Sequence, residues 1–207
     1  MPTFFRFQFP ALPLITCLLI AAVAPVLGGC AIAVGGAAAV GVAAYEERSV
    51  LTVARDTTLA SKIRLELLNT SQQHAAKVGT EVFEGRALMT GAVPTEKMRA
   101  EAVKVAWSID GVKDVINEIQ IFDSGLIDTA RDSWVTAQLS TKLTFDQNIH
   151  AINYTAETVN GIVYLIGIAQ NQAELDRVIG HARNVGYVRK VISHVRVKKA
   201  VAKKAGS

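Results

Sequence analysis

The chain has 207 residues, half of them hydrophobic, and a formal net charge of +4 at neutral pH. The apolar excess sits in the first 44 residues and the basic excess in Lys198, Lys199, Lys203 and Lys204, so the body between is close to neutral. That excludes a dedicated nucleic-acid binder, which carries a stripe of Lys and Arg on a folded face. Cys17 and Cys30 are the only cysteines, which excludes a disulfide framework and a thiol active centre in the body of the chain.

In chain order, residues 1–29 read as a secretory signal: a short n-region with Arg6, an apolar run from about Ala11 to Ala24, and small residues before Cys30. Leu27-Gly28-Gly29-Cys30 has the pattern of a bacterial lipobox. The small residues fit the peptidase, and the thiol takes a diacylglycerol as a thioether. Cys30 is therefore the expected lipidation site and mature N-terminus. The competing reading is an apolar Cys inside a membrane anchor, which Pro13 and Pro25 disfavour by interrupting a helix. Ala31 rather than Asp follows Cys30, which points to the outer membrane. Residues 30–53 form an Ala/Gly-rich stretch that is either a tether or a segment lying on lipid, too short to span a bilayer at 31–44.

The remainder is an internal repeat. Residues 56–122 align with 132–198 at a constant offset of 76 without a gap. Leu59, Ile63 and Leu67 meet Val135, Leu139 and Leu143; Gly85 and Gly91 meet Gly161 and Gly167; Val112 and Val115 meet Val188 and Val191. Each copy predicts a helix with Asp56 or Asp132 as N-cap and apolar residues every four positions, then a polar loop. Two short strands follow, Val78–Phe83 with Arg86–Ala92 and Ile152–Val159 with Ile162–Ile168, joined by Glu84-Gly85 and Asn160-Gly161 as tight turns. Gly91 and Gly167 mark a bulge or a close backbone approach. A second helix is predicted over Thr95–Ile109 and Gln172–Val185, and a last strand over Val112–Phe122 and Val188–Lys198. The order α-β-β-α-β gives an α+β module with two helices on one face of a three-stranded sheet.

The N-capped helix, the Gly-bearing hairpin, a second Gly six residues on, and the helix leading into Asp-Gly-Val-Lys-Asp-Val (110–115) resemble the BON domain. Two copies behind a lipobox, with Arg48-Ser49-Val50 and Asp132-Ser133-Trp134-Val135, resemble the dual-BON outer-membrane lipoproteins. The second copy departs at Val185-Gly186-Tyr187-Val188, where its Gly sits one place early. The resemblance implies a non-enzymatic, lipid-anchored protein facing the periplasm, binding anionic phospholipid through the first helix of the second domain and supporting envelope integrity. It divides the chain into a signal (1–29), tether (30–53), first domain (54–123), linker (124–131), second domain (132–198) and basic tail (199–207).

On the predicted helix at 132–145, Trp134, Gln138, Thr141 and Phe145 form a stripe about 140° from the core stripe. The first copy has Thr58, Lys62, Leu65 and Asn69 there, without an aromatic. A Trp with a polar edge suits a lipid headgroup interface, and Arg131 and Lys142 lie near enough in sequence to meet phosphates. The alternative is that Trp134 packs on the linker or on the first copy. The Lys tail adds attraction to anionic lipid or is simply solvated. His74, His150, His181 and His194 have no metal-ligand spacing and read as surface residues. No nucleophile elbow, phosphate loop or Cys nucleophile is present, so neither an enzyme nor a cofactor is expected. The alternative function is an envelope scaffold whose domains bind a protein partner instead of lipid.

Overall fold

The computed structural model describes residues 48–122 and 129–199. The expected signal, Cys30, the tether at 31–44, most of the linker and the basic tail beyond its first residue lie outside the described residues. The first copy comprises α1 (Val50–Thr70), α2 (Gln72–Lys77), β1 (Val78–Phe83), β2 (Arg86–Val93), α3 (Glu96–Ser108), β3 (Asp114–Asn117) and β4 (Gln120–Ile121). The second comprises α4 (Thr129–Phe145), a 3-10 turn (Ala151–Asn153), β5 (Tyr154–Val159), β6 (Ile162–Ala169), α5 (Gln172–Arg183) and β7 (Lys190–Val197).

Each copy is built as the α-β-β-α-β reading requires. β1 and β2 pair antiparallel from Val78↔Gly91 to Phe83↔Arg86, and β3 joins β2 in parallel after the α3 crossover. β5, β6 and β7 repeat the arrangement. Leu59, Ile63 and Leu67 of α1 and Met98, Ala102 and Ala106 of α3 bury one side of the first sheet together with Ala87, Met89 and Val93. Val135, Leu139, Leu143, Val178 and Ala182 do so in the second copy with Val163 and Leu165. The period of two along a strand sends the intervening residues to the opposite face. There Phe83, Leu88 and Ile116 meet Val159, Ile162, Tyr164, Ile166, Ile168 and Ile192 in a third cluster. The two sheets therefore pack face to face and leave the helices outside. Tyr164 is fully buried in this layer, and its hydroxyl accepts from Gln120 Nε2 at 3.1 Å.

Four expectations are corrected. Asp56 and Asp132 are not N-caps. Helix α1 starts at Val50, with the Ser49 side chain accepting from Thr52 N, and Asp132 lies inside the first turn of α4. Both aspartates are buried and cap the hairpins instead. Asp56 accepts from the amides of Glu84 and Gly85 at 2.7 and 2.9 Å, and Asp132 from those of Asn160 and Gly161 at 2.5 and 2.8 Å. The turns need this because both central residues have positive φ (54° and 79°; 53° and 71°), the geometry of a tight type I′ hairpin, which turns two adjacent amides inward. The polar loop after the first helix is a short helix, α2, in the first copy, where the Ser71 side chain accepts from His74 N. The last strand begins two residues later than expected in both copies. In the first copy it also breaks, because Glu118 N donates to Met89 O while Ile119 turns into the core. Finally, His74 is buried, not on the surface.

Gly91 and Gly167 are close approaches, as their position predicts. A Cβ on either would collide with the carbonyl oxygen of Lys77 or Asn153, the residue just before the neighbouring strand.

Candidate functional site

Helix α4 presents Val135, Leu139 and Leu143 to the core and so turns the stripe of Trp134, Gln138, Thr141 and Phe145 outward. Trp134 is 45% exposed and Phe145 81% exposed. Gln138 and Lys142 are exposed, and Thr141 spends its hydroxyl on the Ala137 carbonyl of its own helix at 2.9 Å. Phe145 lies about 16 Å along the helix axis from Trp134, so the two aromatics are ends of one face and do not touch.

Around Trp134 a compact cluster forms, and its main partner is a residue that the site reading missed. The Tyr187 ring lies 5.8 Å from the Trp134 ring in an edge-on geometry, and the Arg131 guanidinium sits 4.9 Å from the centre of the Tyr187 ring. A Cβ on Gly186 would be 3.9 Å from two atoms of the indole, so the ring covers this glycine. Trp134 thus packs on the loop before β7 of its own domain. Tyr187 is itself 65% exposed. The available signal was the displaced glycine. Tyr187 occupies the position of Gly111, and both are left-handed, with φ of 69° and 100°. A non-glycine residue there costs about 1 kcal/mol relative to glycine, and strained positions of this kind collect at functional sites.

The first copy supplies a comparison on the same scaffold. At the positions of Trp134, Tyr187 and Asn160 it has Thr58, Gly111 and Glu84. Glu84 is ion-paired with Arg196 of the second copy. The aromatic face is therefore particular to the second copy.

Each histidine lies beside a carboxylate. His181 Nε2 is 2.7 Å from Asp146 and His194 Nε2 is 2.8 Å from Glu118, while His74 and His150 are each 3.4 Å from Glu101 and Glu174. His74 Nδ1 also meets the Ser71 hydroxyl at 2.8 Å. These contacts tie elements together; among the described residues no group of three or more His, Cys, Asp or Glu is arranged to hold a metal ion. Glu174 is buried and accepts from the amides of His150 and Gln170 at 2.7 and 2.6 Å, so it serves the backbone. Its charge and the burial of Tyr154 push that phenol well above its ordinary range, burial being the larger cause. Among the described residues no helix is long and apolar enough to cross a membrane.

Two BON domains, matched over residues 55–121 and 131–199, place the chain in the BON-domain family. Within it, the chain is a dual BON-domain protein of the DolP-like kind. It is 31% identical over 170 residues to the outer membrane lipoprotein DolP of Haemophilus influenzae, covering 80% of this chain and 87% of that one. It is 40% identical over 147 residues to an uncharacterized Anaplasma centrale protein from the gshII 5′ region, covering 69% of this chain and 95% of the relative. It is 30% identical over 149 residues to the 21 kDa hemolysin of Actinobacillus pleuropneumoniae, covering 71% and 76% of the two chains.

Proposed function

We propose that this protein is an envelope-associated, non-catalytic phospholipid-binding protein, anchored through acylated Cys30 to the outer membrane and facing the periplasm. The observation that carries the reading is the exposed pair Trp134 and Tyr187 with Arg131 stacked beside it. Amphipathic rings beside a guanidinium suit the headgroup level of a bilayer, where an apolar body and a polar edge are both satisfied. Its similarity to a protein named as an outer membrane lipoprotein supports the location. Acyl chains on Cys30 give durable attachment. The second domain then contacts lipid at high effective concentration, so a weak surface is enough to select where the protein sits. Residues 1–29 act as the signal, 30–53 as the tether, 54–123 and 132–198 as the two domains with 124–131 between them, and 199–207 as a basic tail drawn to the same anionic surface.

Two experiments test this. Metabolic labelling with a fatty acid should mark the wild type and leave Cys30→Ala unlabelled; label retained on the variant would overturn the anchor. The protein should bind vesicles containing anionic phospholipid through its folded part. A crosslinked protein partner, with no vesicle affinity beyond that of the acyl chains, would replace the lipid reading with that of a scaffold.

A further inference from the structure

We infer that the cleft between helix α4 and the first strands of the two copies, with Glu157 on its wall, is a docking site for an arginine side chain of a partner protein. The cleft residues on α4, Ser133, Thr136 and Ala137, lie about 120° round the helix from the stripe of Trp134, so this site stands apart from the lipid reading.

The repeat generates two such clefts. One, of about 200 Å³, lies between α1, β1 and Thr155 of β5. Its counterpart, of about 700 Å³, lies between α4, β5 and the start of β1. Asp56, Thr57, Glu81 and Thr155 line the first, and their equivalents Asp132, Ser133, Glu157 and Gly79 line the second. The narrow cleft carries its own cation. Arg64 of α1 lies along it, and its Nη2 donates to the Glu81 carboxylate at 2.8 Å and to the Thr80 carbonyl at 2.6 Å. The position equivalent to Arg64 holds Ser140, and Gly79 stands where the narrow cleft has Thr155. Both changes take side-chain volume out of the wide cleft.

The second copy thus keeps the receptor for a guanidinium and lacks the guanidinium. Among the described residues the Glu157 carboxylate makes no hydrogen bond or ion pair. Burial raises its pKa, the charge of Glu81 adds to that, and the cation that counters it, Arg64, is already bonded to Glu81. Lys77 also lines the cleft but is not among the charges acting on Glu157. The Ala156 carbonyl is the equivalent of that of Thr80. Ala156 opposes Leu165 as Thr80 opposes Met89, so this carbonyl points to the same unpaired strand edge. The wall is more polar than in the narrow cleft: the Thr136 hydroxyl donates to that of Thr158 at 2.8 Å where the first copy has Ala60 and Val82. A carboxylate beside a carbonyl suits the several N–H donors of a planar guanidinium better than a single ammonium. Sites that enclose a drug-sized ligand run to roughly 300–1,000 Å³. The wide cleft falls in that range, so residues flanking the arginine enter with it, which favours a chain segment over a free guanidinium compound.

The test titrates the full-length acylated protein in detergent micelles with a blocked alanine-arginine-alanine tripeptide and follows backbone amide resonances by NMR. Those of Gly79, Gly91 and Thr158, which line the cleft, should shift and saturate. The same peptide with citrulline, which keeps the shape and loses the charge, should bind about tenfold more weakly, the worth of one charge-assisted hydrogen bond. The lysine peptide should also bind more weakly than the arginine peptide. Ser140→Arg places on α4 the guanidinium that α1 has in Arg64. It should abolish the peptide shifts and raise the melting temperature. Glu157→Gln should weaken binding about tenfold without lowering the melting temperature. The two variants act in opposite ways, one filling the cleft and the other removing its acceptor, so a loss in both at undiminished stability marks the site. Equal binding of the arginine and citrulline peptides, equal binding of the arginine and lysine peptides, full binding by both variants, or no saturable shift in the wild type would overturn it.

Discussion

Glu118 Oε1 lies 2.8 Å from His194 Nε2, and the two residues are 76 apart, the offset that superposes one copy on the other. A two-fold relation between the copies brings equivalent positions together in this way, as in an isologous dimer. Other contacts agree. Gln120 reaches the Val159 carbonyl at 3.3 Å, while Arg196, the equivalent of Gln120, meets Glu84 next to Phe83, the equivalent of Val159. Glu157 feels the charge of Glu81, again 76 residues away. Duplication has thus produced an internal dimer, in which the shared sheet layer serves stability and the outward helices are free to diverge.

The layer between the sheets should couple the copies. Tyr164→Ala removes its largest buried side chain and the partner of Gln120. The expected cost is about 3–5 kcal/mol, as for other large aromatic truncations in a core. Calorimetry should show one transition for the wild type and two separated transitions at lower temperature for the variant. A single unshifted transition would remove the layer from the account of stability.

The equivalent glutamates should make the protein stabler on mild acidification. Burial raises the Glu81 carboxyl above its ordinary range against the opposing Arg64; burial and then the Glu81 charge raise Glu157. A carboxyl whose folded-state pKa is raised favours the fold below the unfolded value and loses that contribution as pH rises through the folded one. At neutral pH both therefore oppose folding. Glu157→Gln should raise the melting temperature at pH 7 by a degree or two, about 0.5 kcal/mol after discounting partial exposure. The gain should shrink towards the acid end, where the wild type is protonated too. A less stable variant at pH 7 would show that the carboxylate is held by a favourable partner.

The hairpin-capping aspartates predict a large effect from a residue that looks like an ordinary cap. Asp132→Ala leaves the Asn160 and Gly161 amides without their acceptor. A lost N-cap costs about 1 kcal/mol, whereas one buried and one part-buried amide stripped of a charged acceptor cost about 3 kcal/mol. Urea denaturation distinguishes the two, and Asp56→Ala should behave alike in the first copy. A loss near that of a simple cap would contradict the role.

Much of the fold was legible because it is local. The spacing of Leu59, Ile63 and Leu67 specified a helix, and Asn160-Gly161 specified its hairpin. The N-cap reading of Asp56 and Asp132 failed because a sequence window cannot see a turn 28 residues away. The break at Glu118 was invisible because the first copy's own pattern of apolar residues continues through Ile119 and Ile121. His74 is buried because α2 folds where polar residues suggested a loop. For the candidate site, helical periodicity found the outward face carrying Trp134. Tyr187 was noticed only as a misplaced glycine; its contact with Trp134 spans 53 residues and depends on the backbone turning left-handed there.

The central claim is that the second domain meets lipid through the face around Trp134. The chain carries a second exposed tryptophan, Trp107, at the end of α3 in the first copy, 53% exposed. Co-sedimentation of Trp134→Ala and Trp107→Ala with vesicles containing anionic phospholipid separates the two faces. The account predicts less bound protein for Trp134→Ala and wild-type binding for Trp107→Ala. Wild-type binding by Trp134→Ala, with or without a loss in Trp107→Ala, would contradict it.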